Sequence, residues 1–217
     1  MVRETWLVHM LQRIMYHKTS SNIVYGFHGC DKSIRDSVIN GDILKKSVNS
    51  YDWLGSGIYF WENDPDRAYD WAIQLSKRKQ SSIKIPTIIG AVIDLGNCLD
   101  LMKLSSTEPL RVGYQLLKES YNKEGKKLPK NINLGSNTDI LLRYLDCAVI
   151  NQFIDFANES DTFNKYDSVR GYFTEGDYIY PGATFKEKTH IQICVINPNC
   201  IKGFFIPRES DPNYPIP

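Results

Sequence analysis

Apolar positions along the chain repeat with a period of two or a little under four, and the changes of period mark out the elements. Ile23–Phe27 alternates as a strand, and Asp31–Asn40 follows as a short helix with Ile34 and Val38 on its apolar side and Gly41 as its stop. Ile58-Tyr59-Phe60-Trp61 is a β-prone run whose three rings cannot all enter one core, because a strand alternates its side chains between two faces. A helix then opens with Asp64 as cap, Pro65 at its first position and Asp66 in its first turn. Ala68, Trp71, Ala72 and Leu75 repeat along one buried face, and Lys77, Arg78 and Lys79 fall where cations suit the end of the helix dipole. Ile88–Leu95 is apolar almost throughout and predicts a central strand.

The middle of the chain is α-rich. Leu110, Tyr114, Leu117 and Tyr121 keep a helical period, as do Leu141, Leu142, Leu145, Ala148 and Val149. Between them the lysine-rich Lys123–Asn137 reads as an exposed loop. From Tyr166 the pattern returns to short strands, at Val169–Thr174, Tyr178–Ile179, His190–Val195 and Ile201–Phe205. At the start of the chain, Trp6, Leu7, Met10, Leu11, Ile14 and Met15 form a stripe over residues 1–18, the mark of an amphipathic helix docked on the domain or on a partner. Arg3, Glu4, His9, Arg13, His17 and Lys18 interrupt that stretch, so it does not read as a signal peptide. Residues 207–217 carry four prolines and predict a flexible tail.

No repeat or linker divides the chain, so residues 1–217 read as one α+β domain with an α-rich insertion over 100–165. At 217 residues and 42% hydrophobic it is long enough for a substantial core. A net charge of +1 argues against a broad footprint for duplex nucleic acid and leaves room for a local basic groove. The five cysteines (30, 98, 147, 194 and 200) include no Cys-x-x-Cys pair, and they read as free thiols in a reducing cytoplasm with no zinc site. His9 and His17 are too few to hold a metal. With no apolar run of about 18 residues, no membrane span is expected.

Candidate chemistry centres on Trp53-Leu54-Gly55-Ser56-Gly57 and the aromatic run after it, taken with Phe27-His28-Gly29 upstream. Gly55 and Gly57 let the backbone turn tightly or lie against a ligand. A strand entering an ordinary core after a turn has the same pattern, and Phe60 breaks the dinucleotide signature Gly-x-Gly-x-x-Gly.

Phe27-His28-Gly29-Cys30, then Gly55-Ser56-Gly57-Ile58-Tyr59-Phe60 with its following helix, then His190–Val195, resemble the diphtheria-toxin-like ADP-ribosyltransferases, in particular the catalytic domain of the poly(ADP-ribose) polymerases. The resemblance implies a split, mostly antiparallel sheet clasping the nicotinamide end of NAD, used as co-substrate without a metal. In that reading His28 bonds the nicotinamide-side ribose, the backbone of Gly29 grips the carboxamide, and Tyr59 stacks on the ring. Cys30 stands where Ser is frequent, and Gly57, Phe60 and Trp71 are counted with the cofactor contacts. Gln192 occupies the third position, usually Glu; it can bond a ribose hydroxyl but cannot act as a base. The reaction passes through an oxocarbenium-like state, so a carboxylate beside the anomeric carbon is worth having. Glu175 and Glu187 are the nearest candidates in sequence, with an ion pair to Arg170 as the alternative for Glu175 and a solvated loop for Glu187. Lys45, Lys46 and Asn49 meet either phosphate or water.

The expected activity is transfer of ADP-ribose from NAD to a macromolecule. RNA is the favoured acceptor and protein the rival, in a toxin or anti-phage effector that is paired with an antitoxin. The Lys123–Asn137 loop is the best guess for the RNA contact, and Tyr180–Lys188 would select the acceptor. An NAD glycohydrolase and a non-catalytic NAD-binding module are the other readings.

Overall fold

The computed structural model describes residues 22–133, 139–161 and 163–215. The amphipathic helix predicted over 1–18, with His9 and His17, lies outside the described residues, as does part of the lysine-rich loop.

Seven strands form one mixed sheet: β1 (Ile23–Asp31), β2 (Ile58–Glu62), β3 (Pro86–Asp94), β4 (Cys98–Asp100), β5 (Ser168–Phe173), β6 (His190–Val195) and β7 (Ile201–Phe205). Their spatial order is β4-β5-β6-β2-β1-β3-β7. Only β4 and β5 run parallel; every other neighbouring pair is antiparallel. Four α-helices accompany the sheet among the described residues: α1 (Lys32–Ile39), α2 (Pro65–Ser76), α3 (Thr107–Lys123) and α4 (Tyr144–Glu159). The fold is thus α+β, and none of these helices is long and apolar enough to cross a membrane.

The alternation of β2 divides the core. Ile58 and Phe60 face a cluster with Ile89, Ala91, Ile93 and Ile193, closed by Val38 of α1. Tyr59 lies against the opposite cluster, where Leu54, Leu99, Val169 and Cys194 meet Ile150, Phe153 and Ile154 of α4. Helix α3 covers α4 closely: a Cβ at Gly113 would lie 2.6 Å from the Val149 carbonyl oxygen. Only a residue without a side chain allows that approach.

Several boundaries differ from the sequence pattern for tertiary reasons. β1 runs four residues past Phe27 because β3 pairs with it continuously, from Ile23 opposite Asp94 to Asp31 opposite Pro86. β4 has no pattern of its own and is held by its pairing with Ser168–Arg170. The strand expected at Tyr178–Ile179 is a single bridge, Tyr178 to Lys186. Leu141 and Leu142 precede α4, with Leu142 bridged to Ile132. Helix α2 ends at Ser76, so of the three cations only Lys77 touches it, as the cap.

Candidate functional site

The sheet opens where β1 and β2 part. They pair only at Gly26 with Glu62 and Phe27 with Trp61. β1 then continues along β3, while Gly57 just ahead of β2 bridges to Ser47 instead. His28 stands in the fork, its Nδ1 2.7 Å from the carbonyl oxygen of Tyr59. A carbonyl only accepts, so Nδ1 carries the hydrogen and Nε2 is left as an acceptor. Burial lowers the pKa of His28, which favours this neutral form.

Beyond the fork lies a cleft of about 970 Å³ walled by His28, Gly29, Cys30, Trp71, Leu75 and Arg78, with Lys45 on its far side. The volume is that of a small-molecule or cofactor site. Gly29 is where α2 presses on β1, since a Cβ there would lie 2.2 Å from the Ala68 carbonyl oxygen. Burial pushes the Cys30 thiol up to about 11, so it stays protonated and is a weak hydrogen-bonding group rather than a nucleophile. At the rim, the Asp31 carboxylate accepts from the backbone N–H groups of Ser33, Lys84 and Ile85 and holds the ends of the wall together. Those bonds hold the Asp31 carboxyl well below the usual carboxylate range.

Tyr59 meets His28 through its backbone, and its ring turns the other way. The ring packs in the cluster beneath α4. Its hydroxyl donates to the Gly55 carbonyl at 2.6 Å and accepts from the Leu54 N–H at 2.9 Å. The stacking partner expected from the sequence is therefore not a wall of this cleft; strand alternation puts Trp71, from α2, in that place. Phe60 is corrected in the same way: it is fully buried in the cluster on the other side of the sheet and offers no free face, though its ring lies 5.9 Å from that of His28. Gly57 serves packing, since a Cβ there would come within 2.5 Å of the Cys194 sulfur and 2.7 Å of the Val195 carbonyl oxygen.

Gln192 and Glu175 fall in a second cluster, joined to the cleft by two indoles. Trp61 and Trp71 lie 5.4 Å apart, and Gln192 is directly opposite Trp61 across the β2–β6 pair. Arg67, in the first turn of α2, is buried; it lies over the Trp61 ring and holds Glu175 Oε2 at 2.6 Å. The Glu175 carboxylate, expected as a free base or as a partner of Arg170, is thus committed to Arg67. Arg170 instead engages Glu62 at 2.6 Å and Asp100 at 3.4 Å. His190 closes the cluster, with Nδ1 at 2.6 Å from the Lys188 carbonyl oxygen and its ring 6.3 Å from Trp61. Burial lowers its pKa, and the nearby Arg67 lowers it further.

The remaining candidates lie apart. Glu187 is exposed, and its backbone N–H donates to the Asp177 carbonyl. Asp146 accepts from the Asn131 side chain at 2.8 Å, while Cys147 beside it is buried. Sequence reasoning passed over Arg67 and His190, and with reason. Arg67 reads as an ordinary polar residue of a first helical turn, and only the fold carries it to Glu175, 108 positions away. Among the described residues no group of three His, Cys, Asp or Glu side chains is placed to hold a metal ion.

No family model matches the chain, and no solved structure matches it. It is similar to an uncharacterized protein of Methanocaldococcus jannaschii, with 28% identity over 193 residues, covering 81% of this chain and 83% of that one.

Proposed function

We propose that the chain is an NAD-dependent ADP-ribosyltransferase with the split sheet of that fold, using NAD as co-substrate and no metal. The observation that carries the reading is the parting of β1 and β2 at His28, which opens a cofactor-sized cleft walled by Gly29 and Trp71. In this reading the edge of β1 at Gly29 receives the carboxamide and the Trp71 indole takes the flat face of the ring. His28 holds a ribose hydroxyl, its orientation set by the bond to Tyr59. Lys45 and Arg78, on the cleft wall, meet the phosphates. The bond between the ribose C1′ and the nicotinamide nitrogen breaks, and its electron pair leaves with nicotinamide. An acceptor atom bonds C1′ in turn and gives its proton to solvent. Positive charge on the sugar is stabilised by oriented dipoles, among which the Gln192 amide is the candidate at the third position.

RNA is the favoured acceptor, and a cytoplasmic toxin or anti-phage effector with an antitoxin partner is the favoured setting. That step rests on likeness of motifs and fold, not on a feature of the site. A second reading has an observation of its own. Gln192 is neutral and Glu175 is bound to Arg67, which suits a module that holds NAD without cleaving it. Incubation with NAD labelled in the adenylate moiety and a cell extract, followed by separate nuclease and protease digestion, separates the cases. Label lost to nuclease supports an RNA acceptor; label surviving nuclease and lost to protease supports a protein acceptor. Free ADP-ribose without acceptor marks a glycohydrolase, and binding without nicotinamide release marks the passive module.

A further inference from the structure

The two faces of the sheet are covered unequally. Over β1, β3 and β7 one face carries the cluster closed by Val38 and Leu44, and Phe204 packs into it. The opposite face has α2 along one margin and little else. Tyr25 and Ile23 alternate onto that face and are 54% and 57% exposed, unusual for a strand paired along its whole length. The rings of Tyr25 and Phe27 each meet Phe205 edge-on at 6.1 Å, making an aromatic floor. Gly203 of β7 adds room, since a Cβ built on it meets nothing within 4 Å.

Helix α2 forms the wall. Arg67 reaches Glu175 and Trp71 meets Trp61, so that side of the helix looks towards β2 and β6. The helical period turns Asp66 and Tyr69 to the other side, over the floor, and Tyr69 is 45% exposed. The result is an apolar groove three strands wide, roughly 10 Å, the width of one helix with its side chains.

We propose that residues 1–21 occupy this groove in cis, with Trp6, Leu7, Met10, Leu11, Ile14 and Met15 against Tyr25, Phe27 and Phe205. The chain outside the described residues ends at Asn22, directly before β1, so the segment is tethered at the groove's own edge. A short tether gives it an effective concentration that a separate partner must compete against. Its length suffices: 18 residues of helix span roughly 27 Å. Its apolar stripe matches the floor, and Arg3 and Arg13 match the exposed Asp66 on the wall.

The test uses the full chain and two kinds of variant. Leu11→Asp spoils the stripe. Gly203→Arg puts a long side chain into space that is open unless the segment fills it. Amide hydrogen exchange of residues 201–206 and the urea midpoint are read for each and for the double variant, with molar mass measured across a range of concentrations. Docking in cis predicts that each single change speeds exchange in β7 by roughly threefold or more and lowers the midpoint, and that the double variant is no worse than either alone. Gly203→Arg without effect, or effects that simply add, overturns the proposal. So does a concentration-dependent dimer that Gly203→Arg abolishes and Leu11→Asp leaves intact, because the occupant is then a second copy. None of these outcomes depends on NAD chemistry.

Discussion

Gly29→Ala is the sharpest single test of the cleft wall. An added Cβ stands 2.2 Å from the Ala68 carbonyl oxygen and 3.2 Å from the Ala72 Cβ, with both alanines fully buried. Ordinary contact begins near 3.4 Å, so α2 must retreat by about 1.2 Å or β1 must bend. The obstacle is helix backbone, which has no rotamer to give, and the site is overpacked at a cost of roughly 1–3 kcal/mol. Because Trp71 and Leu75 ride on the same helix, its retreat also moves two walls of the cleft. Urea unfolding should therefore show a lower midpoint with an unchanged slope, and NAD binding should weaken beyond what the loss of stability accounts for. A Gly29→Ala variant within about 0.5 kcal/mol of the parent, the range of surface substitutions, would refute the close approach of α2 and with it the cleft geometry.

His28→Ala should abolish nicotinamide release. It also leaves the Tyr59 carbonyl without its partner, which costs about 1–3 kcal/mol in urea unfolding. Glu175→Gln, which leaves buried Arg67 with Asp70 alone at 3.3 Å, should destabilise by about 3–5 kcal/mol; Arg67→Met in the same chain should restore much of it. A Glu175→Gln chain as stable as the parent would mean that the carboxylate is free to act as a base. The pH dependence follows from His28 and His190, both with lowered pKa. Their unfolded forms bind the proton more readily, so stability is full above the unfolded value of about 6.5 and falls as the pH drops below it, at up to about 1.4 kcal/mol per pH unit for each group. Urea midpoints between neutral and mildly acidic pH check this, and replacing either histidine by Asn should shallow the slope.

Much of the fold was legible in the sequence because local pattern and tertiary fate agree. The capped helix from Asp64, the buried strand at Ile88 and the paired strands at His190 and Ile201 each carry a period that only one environment satisfies. The glycines before Tyr59 announced a tight turn, and Gly55 has φ 79°. Pairing decided what pattern could not: β3 drew β1 on to Asp31, and β5 made a strand of Cys98–Asp100. The site divides along the same line. His28, Gly29 and the glycine-aromatic run stood out by residue type and spacing, as groups that a cleft on a sheet edge requires. Which face each ring takes was open, because an aromatic strand reads the same in either register. Pairing with β6 set Tyr59 opposite Cys194 and turned its ring under α4, leaving the cleft to Trp71. Arg67 with Glu175 is a meeting of residues 108 positions apart, and no local signal records it. Residue types and spacing are local properties, and the chain carries them openly; which charge neutralises which, and which ring lines a cavity, follow from contacts that exist only after the sheet has closed.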